Sequence, residues 1–525
     1  MAFRSVYPDV AIPDVALTDY VLAQARERGD KAALIDGPSG RTITYAQLPG
    51  LVARAAAGLA RRGFKKGERF AIYSPNLPEY AIAFHAIASL GGAATTVNPL
   101  YTAGELAKQL NDSGARFLLT VPPFLPVARE AAAQSKVEEI YVFGEADGAT
   151  PFAALLAGAA DAPKVAINPR TDLVALPYSS GTTGLPKGVM LTHHNLVAEL
   201  CSVEGVTDAS LIQPGDTVLA FLPFFHIYGI VAFLNLSLRM GVTVITMPRF
   251  DLEQYLQLVQ KYGVTILHLV PPIALALAKH PIVANYDLSK VRGAFSAAAP
   301  LSGIVADALY QRVGFRLSQA YGMTEVSGAC HLGPTTPDKI KPASGGRLMP
   351  NMECKILDTA SGAELGEGAQ GEILVRGPLV MQGYLNAPDA TAATIDAEGW
   401  LRTGDIGYVD ADGDFFIVDR TKELIKYKAL QVAPAELEAV ILGHAAIADA
   451  CVIGIADEEA GEVPKAFVVL KGEISAEELM AYVAERVAPH KRIRAVEFTD
   501  QLPKSATGKL LRRVLIERER AKGKI

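Results

Sequence analysis

The sequence predicts an α/β protein: a large N-terminal domain of layered α/β sheets with a small β unit, followed by a small α+β C-terminal domain. Three observations carry this. The chain has 525 residues and half of them are hydrophobic, too long for one ordinary core and apolar enough for large buried sheets. Through most of its length, short apolar runs alternate with helix-period patterns, as strands joined by crossover helices do. From about residue 345 the runs become short strands bounded by Gly and Asp, and a compact α+β pattern closes the chain.

The strand candidates of the alternating region are Phe70–Tyr73, Phe117–Thr120, Glu139–Phe143, Thr217–Leu222, Val242–Met247 and Thr265–Val270. Helix candidates between them include Leu77–Leu90, Ala103–Asn111 and Leu252–Tyr262. In the β unit, Gly371–Arg376 and Asp414–Val418 read as antiparallel strands, with a turn at Asp410-Ala-Asp-Gly413. A boundary follows at Asp419-Arg420-Thr421-Lys422, dividing 1–419 from 420–525, and the second segment is of ordinary domain size. Within it Pro434 suits the first turn of a helix Ala435–Leu442 that Gly443 can end. Strands Ala450–Ile455 and Ala466–Leu470 and a helix Ala476–Val487 come next. The Ala-rich stretches Ala53–Ala60 and Ala153–Ala162 read as helix and loop.

Bulk properties exclude several classes. The net charge of −6 is mild and the basic residues are scattered, which argues against a nucleic-acid footprint. Cys201, Cys330, Cys354 and Cys451 lack metal or redox spacing and read as reduced, mostly buried thiols of a cytoplasmic protein. No apolar run is long enough for a membrane helix, and the N-terminus has no apolar signal region. A terminal Ser-Lys-Leu address is absent.

The most informative segment is Tyr178-Ser-Ser-Gly-Thr-Thr-Gly-Leu-Pro-Lys-Gly188, after an apolar strand Leu173–Leu176. Gly181, Gly184 and Gly188 let the backbone turn tightly and approach a ligand. Ser179, Ser180, Thr182 and Thr183 supply hydroxyls and Lys187 a positive charge, the donors a polyphosphate needs. It is not a Walker loop, because Pro186 and not Gly precedes the lysine.

This loop resembles the phosphate loop of the adenylate-forming superfamily of acyl-CoA synthetases, luciferases and peptide-synthetase adenylation domains. Further motifs follow in that family's order: Phe224-Phe-His-Ile-Tyr-Gly229, Gln319-Ala-Tyr-Gly-Met-Thr-Glu325, Trp400-Leu-Arg-Thr-Gly-Asp405, Asp419-Arg-Thr-Lys-Glu-Leu-Ile-Lys426 and Pro503-Lys-Ser-Ala-Thr-Gly-Lys509. The detail is similar to 4-coumarate–CoA ligases. The resemblance implies ATP-dependent activation of a carboxylic acid to an acyl-adenylate, then transfer to coenzyme A, with Mg²⁺ as the metal, small-molecule partners only, and a monomer or homodimer.

It also implies roles. Lys509 bridges the acyl carboxylate and the α-phosphate, Thr324 contacts that phosphate, Glu325 ligates Mg²⁺, and His226 gates the acyl site. Ser179, Ser180, Gly181, Thr182, Thr183, Lys187, Gln319, Ala320, Tyr321, Asp405, Arg420, Lys426 and Gln431 complete the nucleotide site. The acyl pocket is Ile227, Tyr228, Ala232, Phe295, Ala298, Gly322 and Leu332, with small residues at Ala298 and Gly322 leaving a slot for a flat ring and no cation in view. Arg249, Lys428 and Ala429 contact coenzyme A, and Lys422 is the hinge of a mobile C-terminal domain. One departure stands out: the family's Lys-Gly-Phe-Gln is Lys428-Ala-Leu-Gln431 here, and the methyl of Ala429 bears on passage of the pantetheine arm. A hydroxycinnamate fits an apolar slot. A medium-chain fatty acid, another acyl acceptor, or a nucleotide sensor without catalysis are the alternatives.

Overall fold

The computed structural model describes residues 2–179, 186–207, 212–420, 422–427, 430–457, 460–505 and 508–522. Three sheets organise them. The largest has 14 strands. Its parallel half runs Ala32–Asp36, Thr243–Thr246, Thr217–Ala220, Ile266–Leu269, Gly293–Ser296, Leu317–Met323 in spatial order. Thr243–Thr246, Ile266–Leu269 and Gly293–Ser296 are buried at every position, as parallel strands covered on both faces are.

At Leu317–Met323 the pairing changes sense. Gly328–Leu332 adds antiparallel, then Gly346–Leu348, Asp414–Arg420, Leu401–Val409, Gly371–Arg376 and Glu353–Leu357. The antiparallel β unit foreseen from the sequence is thus hydrogen-bonded into the parallel sheet. Phe3–Arg4 pairs with Glu353–Cys354 and covers the sheet's edge.

A nine-stranded sheet is built on Arg69–Ile72, Ala93–Thr96, Phe117–Thr120 and Glu139–Val142, all parallel. Leu173–Ala175 joins it, and Lys187–Thr192 pairs antiparallel with that strand and with Tyr178–Ser179. Tyr178–Ser179 and Lys187–Thr192, which flank the Gly/Ser/Thr segment in sequence, are thus an antiparallel pair anchored on Leu173–Ala175. Helix His193–Gly205 follows directly, and Thr192 starts it with a reciprocal capping box to Asn195.

The C-terminal part has its own five-stranded sheet. Ile447–Asp457 and Gly461–Leu470 form its long hairpin, and Ala495–Phe498 pairs parallel with the latter. Helices Pro434–Leu442 and Ala476–Ala484 pack there around Leu437, Ile441, Val452, Val468 and Leu479, a core separate from that of the large domain. The second helix ends three residues before the expected Val487. Pro489 lies ahead, and Ala488 before it takes the extended conformation that a following proline favours.

Phe117–Thr120, Leu252–Tyr262 and Gly371–Arg376 match their expected bounds. The expected Ala153–Ala162 segment is helical only over Ala153–Leu156. All four cysteines are free and buried. Among the described residues no helix is long and apolar enough to cross a membrane.

The Thr192 cap is buried and holds the start of the helix next to the phosphate-loop hairpin. Thr192→Ala is expected to cost about 1 kcal/mol of stability, with up to about 2 in a buried setting. Urea unfolding checks this: a midpoint unchanged from the parent would show that the cap carries no stability.

Candidate active site

The C-terminal ends of parallel strands are where an open α/β sheet presents its binding crevice. The strands ending at Leu269, Ser296 and Met323 are parallel neighbours, so their C-terminal ends lie side by side. Gln319, Tyr321, Thr324 and Glu325 lie on or just beyond the last of them.

Asp405 lies at the centre. It is 6% exposed, and burial raises its carboxyl above the usual range, opposed chiefly by the nearby Arg420 charge. Its Oδ2 accepts a 2.7 Å hydrogen bond from the Tyr321 hydroxyl, and its Oδ1 lies 3.2 Å from Nε of Arg420. The pairing is written into the sheet register, since Asp405 and Arg420 face each other across adjacent antiparallel strands. The hairpin turn closed by the Gly413 N–H and the Asp410 carbonyl sets the register as far as Gly407–Ile417, and a β-bulge then shifts it by one residue, which brings Asp405 opposite Arg420.

Lys509 joins this group from the C-terminal domain. The turn Ser505–Lys509 is tied by Gly508 N–H to the Ser505 carbonyl and by Ser505 N–H to the Lys509 carbonyl, both at 2.8 Å. Gly508 has φ +78°, and a Cβ there would lie 3.1 Å from Pro272 Cγ and 3.8 Å from Val270 Cγ2. So the turn rests on the segment that leaves the strand Ile266–Leu269. Burial and the Arg420 charge push Lys509 down to about 8, against the pull of Glu423 and Asp405. Lys279 Nζ donates to the Leu442 carbonyl at 2.8 Å, a second contact between the two domains.

His226 senses Lys509. Burial, with a smaller effect of the Lys509 charge, lowers its imidazole to about 4. It caps the turn Ile227–Gly229, and its Nδ1 accepts from the Tyr228 N–H at 3.2 Å. A neutral imidazole that accepts at Nδ1 carries its proton on Nε2 and can donate from there.

The other wall holds Glu325, which is 4% exposed. Its Oε1 accepts from the Ser179 hydroxyl at 2.8 Å and from the Tyr384 hydroxyl at 2.9 Å. Lys187 Nζ sits 4.9 Å from the centre of the Tyr384 ring. Thr324, also buried, begins the 3₁₀ turn that carries Glu325. Among the described residues no three His, Cys, Asp or Glu side chains cluster as a metal cage.

Ser180, Gly181, Thr182, Thr183, Lys428 and Ala429 lie outside the described residues, as does the side chain of Gln431. Lys422, Lys426 and Arg249 are exposed. Gln319 has a more specific place than expected. Its side-chain amide accepts from Leu301 N–H at 2.9 Å and donates to the Leu301 and Pro342 carbonyls at 2.9 and 2.7 Å. It pins two loops, while the neighbouring Ala320 is half-buried.

Of the expected acyl residues, Ile227, Ala232, Phe295 and Leu332 are buried and Tyr228 is half-buried. Ala232 lies in a π-helix, Ile230–Ser237, a distortion common near functional sites. Ala298 is exposed and adopts φ +73°, a left-handed conformation unusual for alanine. The slot foreseen at Gly322 has another explanation. A Cβ there would fall 1.9 Å from the Gly328 carbonyl oxygen and 2.6 Å from Ala329 Cα. The neighbouring strand fills that space at a β-bulge. Glu199 holds the bulge from the other side, accepting from Ala329 N–H at 2.9 Å, and burial raises its carboxyl far above the usual range.

Sequence reasoning missed Tyr384 and His268. Neither lies in a recognisable motif, and only the sheet pairing Val189–Tyr384 and the ring contacts of His268 bring them in.

Gly322→Ala is expected to destabilise the protein by about 1–3 kcal/mol, because backbone must move to admit the methyl. Thermal and urea unfolding read this directly, and parental stability would return Gly322 to the role of slot-former.

Residues 21–385 match the AMP-binding enzyme family, and residues 436–509 match the AMP-binding enzyme C-terminal domain. The 4-coumarate–CoA ligase 5 of Oryza sativa subsp. japonica is 44% identical over 522 residues, covering 98% of this chain and 96% of that protein. The 4-coumarate–CoA ligase of Pinus taeda is 44% identical over 529 residues, covering 99% and 98%. In structure, an anthranilate CoA ligase in complex with anthranoyl-AMP superposes with a TM-score of 0.89 at 26% identity, covering 97% of this chain and 98% of that one. ATP-bound MatB from Rhodopseudomonas palustris gives 0.87 at 28% identity, covering 97% and 99%. By sequence across nearly its whole length and by fold, the chain belongs to the AMP-binding family of adenylate-forming enzymes.

Proposed function

We propose that this protein is an acid–thiol ligase that forms AMP, activating a hydroxycinnamic acid with ATP and passing the acyl group to coenzyme A. The observation that carries the reading is Lys509, held by a C-terminal turn against Pro272 and placed in the electrostatic field of Asp405, Arg420 and His226. A purely nucleotide-binding protein has no need of a lysine brought in from a second domain. The likeness to 4-coumarate–CoA ligases supports the choice of acid and acceptor.

In the first half-reaction a carboxylate oxygen of the acid attacks the α-phosphorus and pyrophosphate leaves. Negative charge builds around that phosphorus, so positioned donors and cations lower the barrier. Lys509 spans the carboxylate and the α-phosphate, and His226 donates from Nε2 to the carboxylate. Asp405 exchanges the Tyr321 hydroxyl for the ribose hydroxyls, beside Arg420. Thr324 faces the α-phosphate, while Ser179, Lys187 and the hydroxyls of Ser180, Thr182 and Thr183 hold the β- and γ-phosphates. Lys426 and Gln431 approach the adenylate from the C-terminal domain.

Mg²⁺ fits the donors present: Glu325 is a buried hard-oxygen ligand with hydroxyls around it, and this ion commonly takes one or two carboxylates plus phosphate oxygens and water. When bound it neutralises charge on the departing pyrophosphate.

In the second half-reaction the sulfur of coenzyme A attacks the acyl carbonyl carbon. AMP leaves with the bonding electron pair, and the thiol proton passes to solvent. We divide the chain at 419/420, with Lys422 as hinge, so that rotation withdraws Lys509 and opens a thiol path by Arg249, Lys428 and Ala429. Four buried free thiols suit a cytoplasmic setting.

Three outcomes are expected. With ATP, Mg²⁺ and coenzyme A, mass spectrometry finds 4-coumaroyl thioester in excess of octanoyl thioester. Octanoyl in excess, or adenylate without thioester, would overturn the acid or the acceptor. Lys509→Ala lowers acyl-adenylate formation about 10²–10³-fold but spares thioester formation from supplied acyl-adenylate; a parental adenylation rate removes Lys509 from the chemistry. Finally, Lys509 is charged below about 8 and neutral above it. The kcat/KM for ATP in pyrophosphate exchange should therefore fall as pH rises through about 8, a limb that reports the free enzyme. His226, lowered to about 4, adds no limb near neutrality. Lys509→Arg should abolish the alkaline limb, and its persistence there assigns it to another group.

A further inference from the structure

His268 is a polar residue in an apolar setting. It lies in the strand Ile266–Leu269 and is 4% exposed. Its ring meets Tyr228 edge-on at 5.7 Å and Phe233 edge-on at 5.1 Å, and stacks on Phe295 at 6.1 Å, its register partner on the next strand. Nδ1 is 3.2 Å from the Tyr228 hydroxyl. Nε2 is enclosed and has no polar partner. Leaving that nitrogen unsatisfied is costly, and an apolar side chain of similar size would avoid the cost. The bond that repays an imidazole here is the one to Tyr228.

Tyr228 connects this buried pair to the reaction centre. Its N–H is held by His226, and its ring, unlike that of His268, is only half-buried. A phenol hydroxyl has one donor and two acceptor positions. The bond to Nδ1 uses one of them and fixes the hydroxyl's rotation. Burial keeps His268 neutral, its imidazole lowered to about 4, so either tautomer forms this bond and the remaining valences of the Tyr228 oxygen are free for a ligand.

We propose that His268 is a positioning residue for the acyl substrate: where Tyr228, a residue of the acyl pocket, meets a hydroxyl on the substrate's ring, His268 sets the direction of the Tyr228 hydroxyl. A ring hydroxyl both donates and accepts, so it complements Tyr228 in either tautomer of His268. A ring without it leaves the Tyr228 hydroxyl unanswered in a dry pocket, which is how a site built for a hydroxyl rejects the analogue lacking one. The proposal rests on the reading that the acyl group lies along Tyr228 and Phe295.

The test compares 4-coumarate with cinnamate, which lacks the ring hydroxyl, in steady-state kinetics of the full-length enzyme. Tyr228→Phe and His268→Leu should each lower kcat/KM for 4-coumarate about tenfold, mainly through KM. Cinnamate should not fall in either variant and should gain in Tyr228→Phe, which removes the hydroxyl that cinnamate leaves unanswered; on 4-coumarate the double variant should be no worse than either single one, as for residues acting through one bond. His268→Asn, which can still bond the Tyr228 hydroxyl, should recover most of the loss. Equal losses on both acids in His268→Leu, or no loss on either, overturn the role of His268. Tyr228→Ala separates the underlying reading: an unchanged KM for both acids removes the acyl group from this wall and the proposal with it. A raised KM there, with His268→Leu silent, overturns the proposal alone.

Discussion

A buried carboxylate governs this site. Asp405 sits almost without solvent, and a desolvated carboxylate persists only where cations and donors surround it. One cation, Arg420, comes from the adjacent strand and one donor from Tyr321. The third partner, Lys509, arrives from the far end of the chain. Each depends on the others: Asp405 eases the burial of the lysine, while Arg420 opposes it. The result is a lysine poised near neutrality and a carboxylate whose ligand-free hydrogen bonds can be exchanged for those of a sugar.

The C-terminal domain holds its side of this arrangement with a second buried charge cluster. Arg512, three residues after Lys509, pairs with Glu423 and with Glu438 at 2.7 Å. Glu438 also accepts from the Val452 N–H at 2.8 Å. Glu423 lies just past Arg420 and Glu438 on the helix Pro434–Leu442. The cluster ties the lysine's segment to the junction between the domains and to its own domain core. Breaking a buried pair leaves an uncompensated charge, so the segment around Lys509 is held in register with the strand that carries Arg420.

Much of this is visible in the residues alone, for reasons specific to each element. Leu252–Tyr262 is legible because Asp251 caps it, Gly263 ends it, and its apolar face repeats with helical period. The Asp410–Gly413 turn is legible from its Asp and Gly residues, but the β-bulge beyond Gly407 that brings Asp405 opposite Arg420 is not. The antiparallel unit was foreseen as a unit, but its continuity with the parallel sheet was not. That join depends on Leu317–Met323 having unlike neighbours on its two edges, which no local pattern encodes. Gly322 reads in sequence as room for a ligand, yet the space belongs to Gly328 and Ala329.

By itself the sequence determined the order of strands and helices, the glycine- and hydroxyl-rich loop, and the identities of Asp405, Arg420, Glu325, His226 and Lys509 as candidates. Propensity, capping and turn chemistry act over a few residues, and motifs are written in consecutive positions. Tertiary structure alone decided which of these meet. It placed Tyr384 with Ser179 on Glu325, His268 against Tyr228 and Phe295, and Lys509 beside Asp405. Those contacts join residues tens to hundreds of positions apart, through sheet register and domain packing, and it is there that burial shifts the charges the chemistry uses.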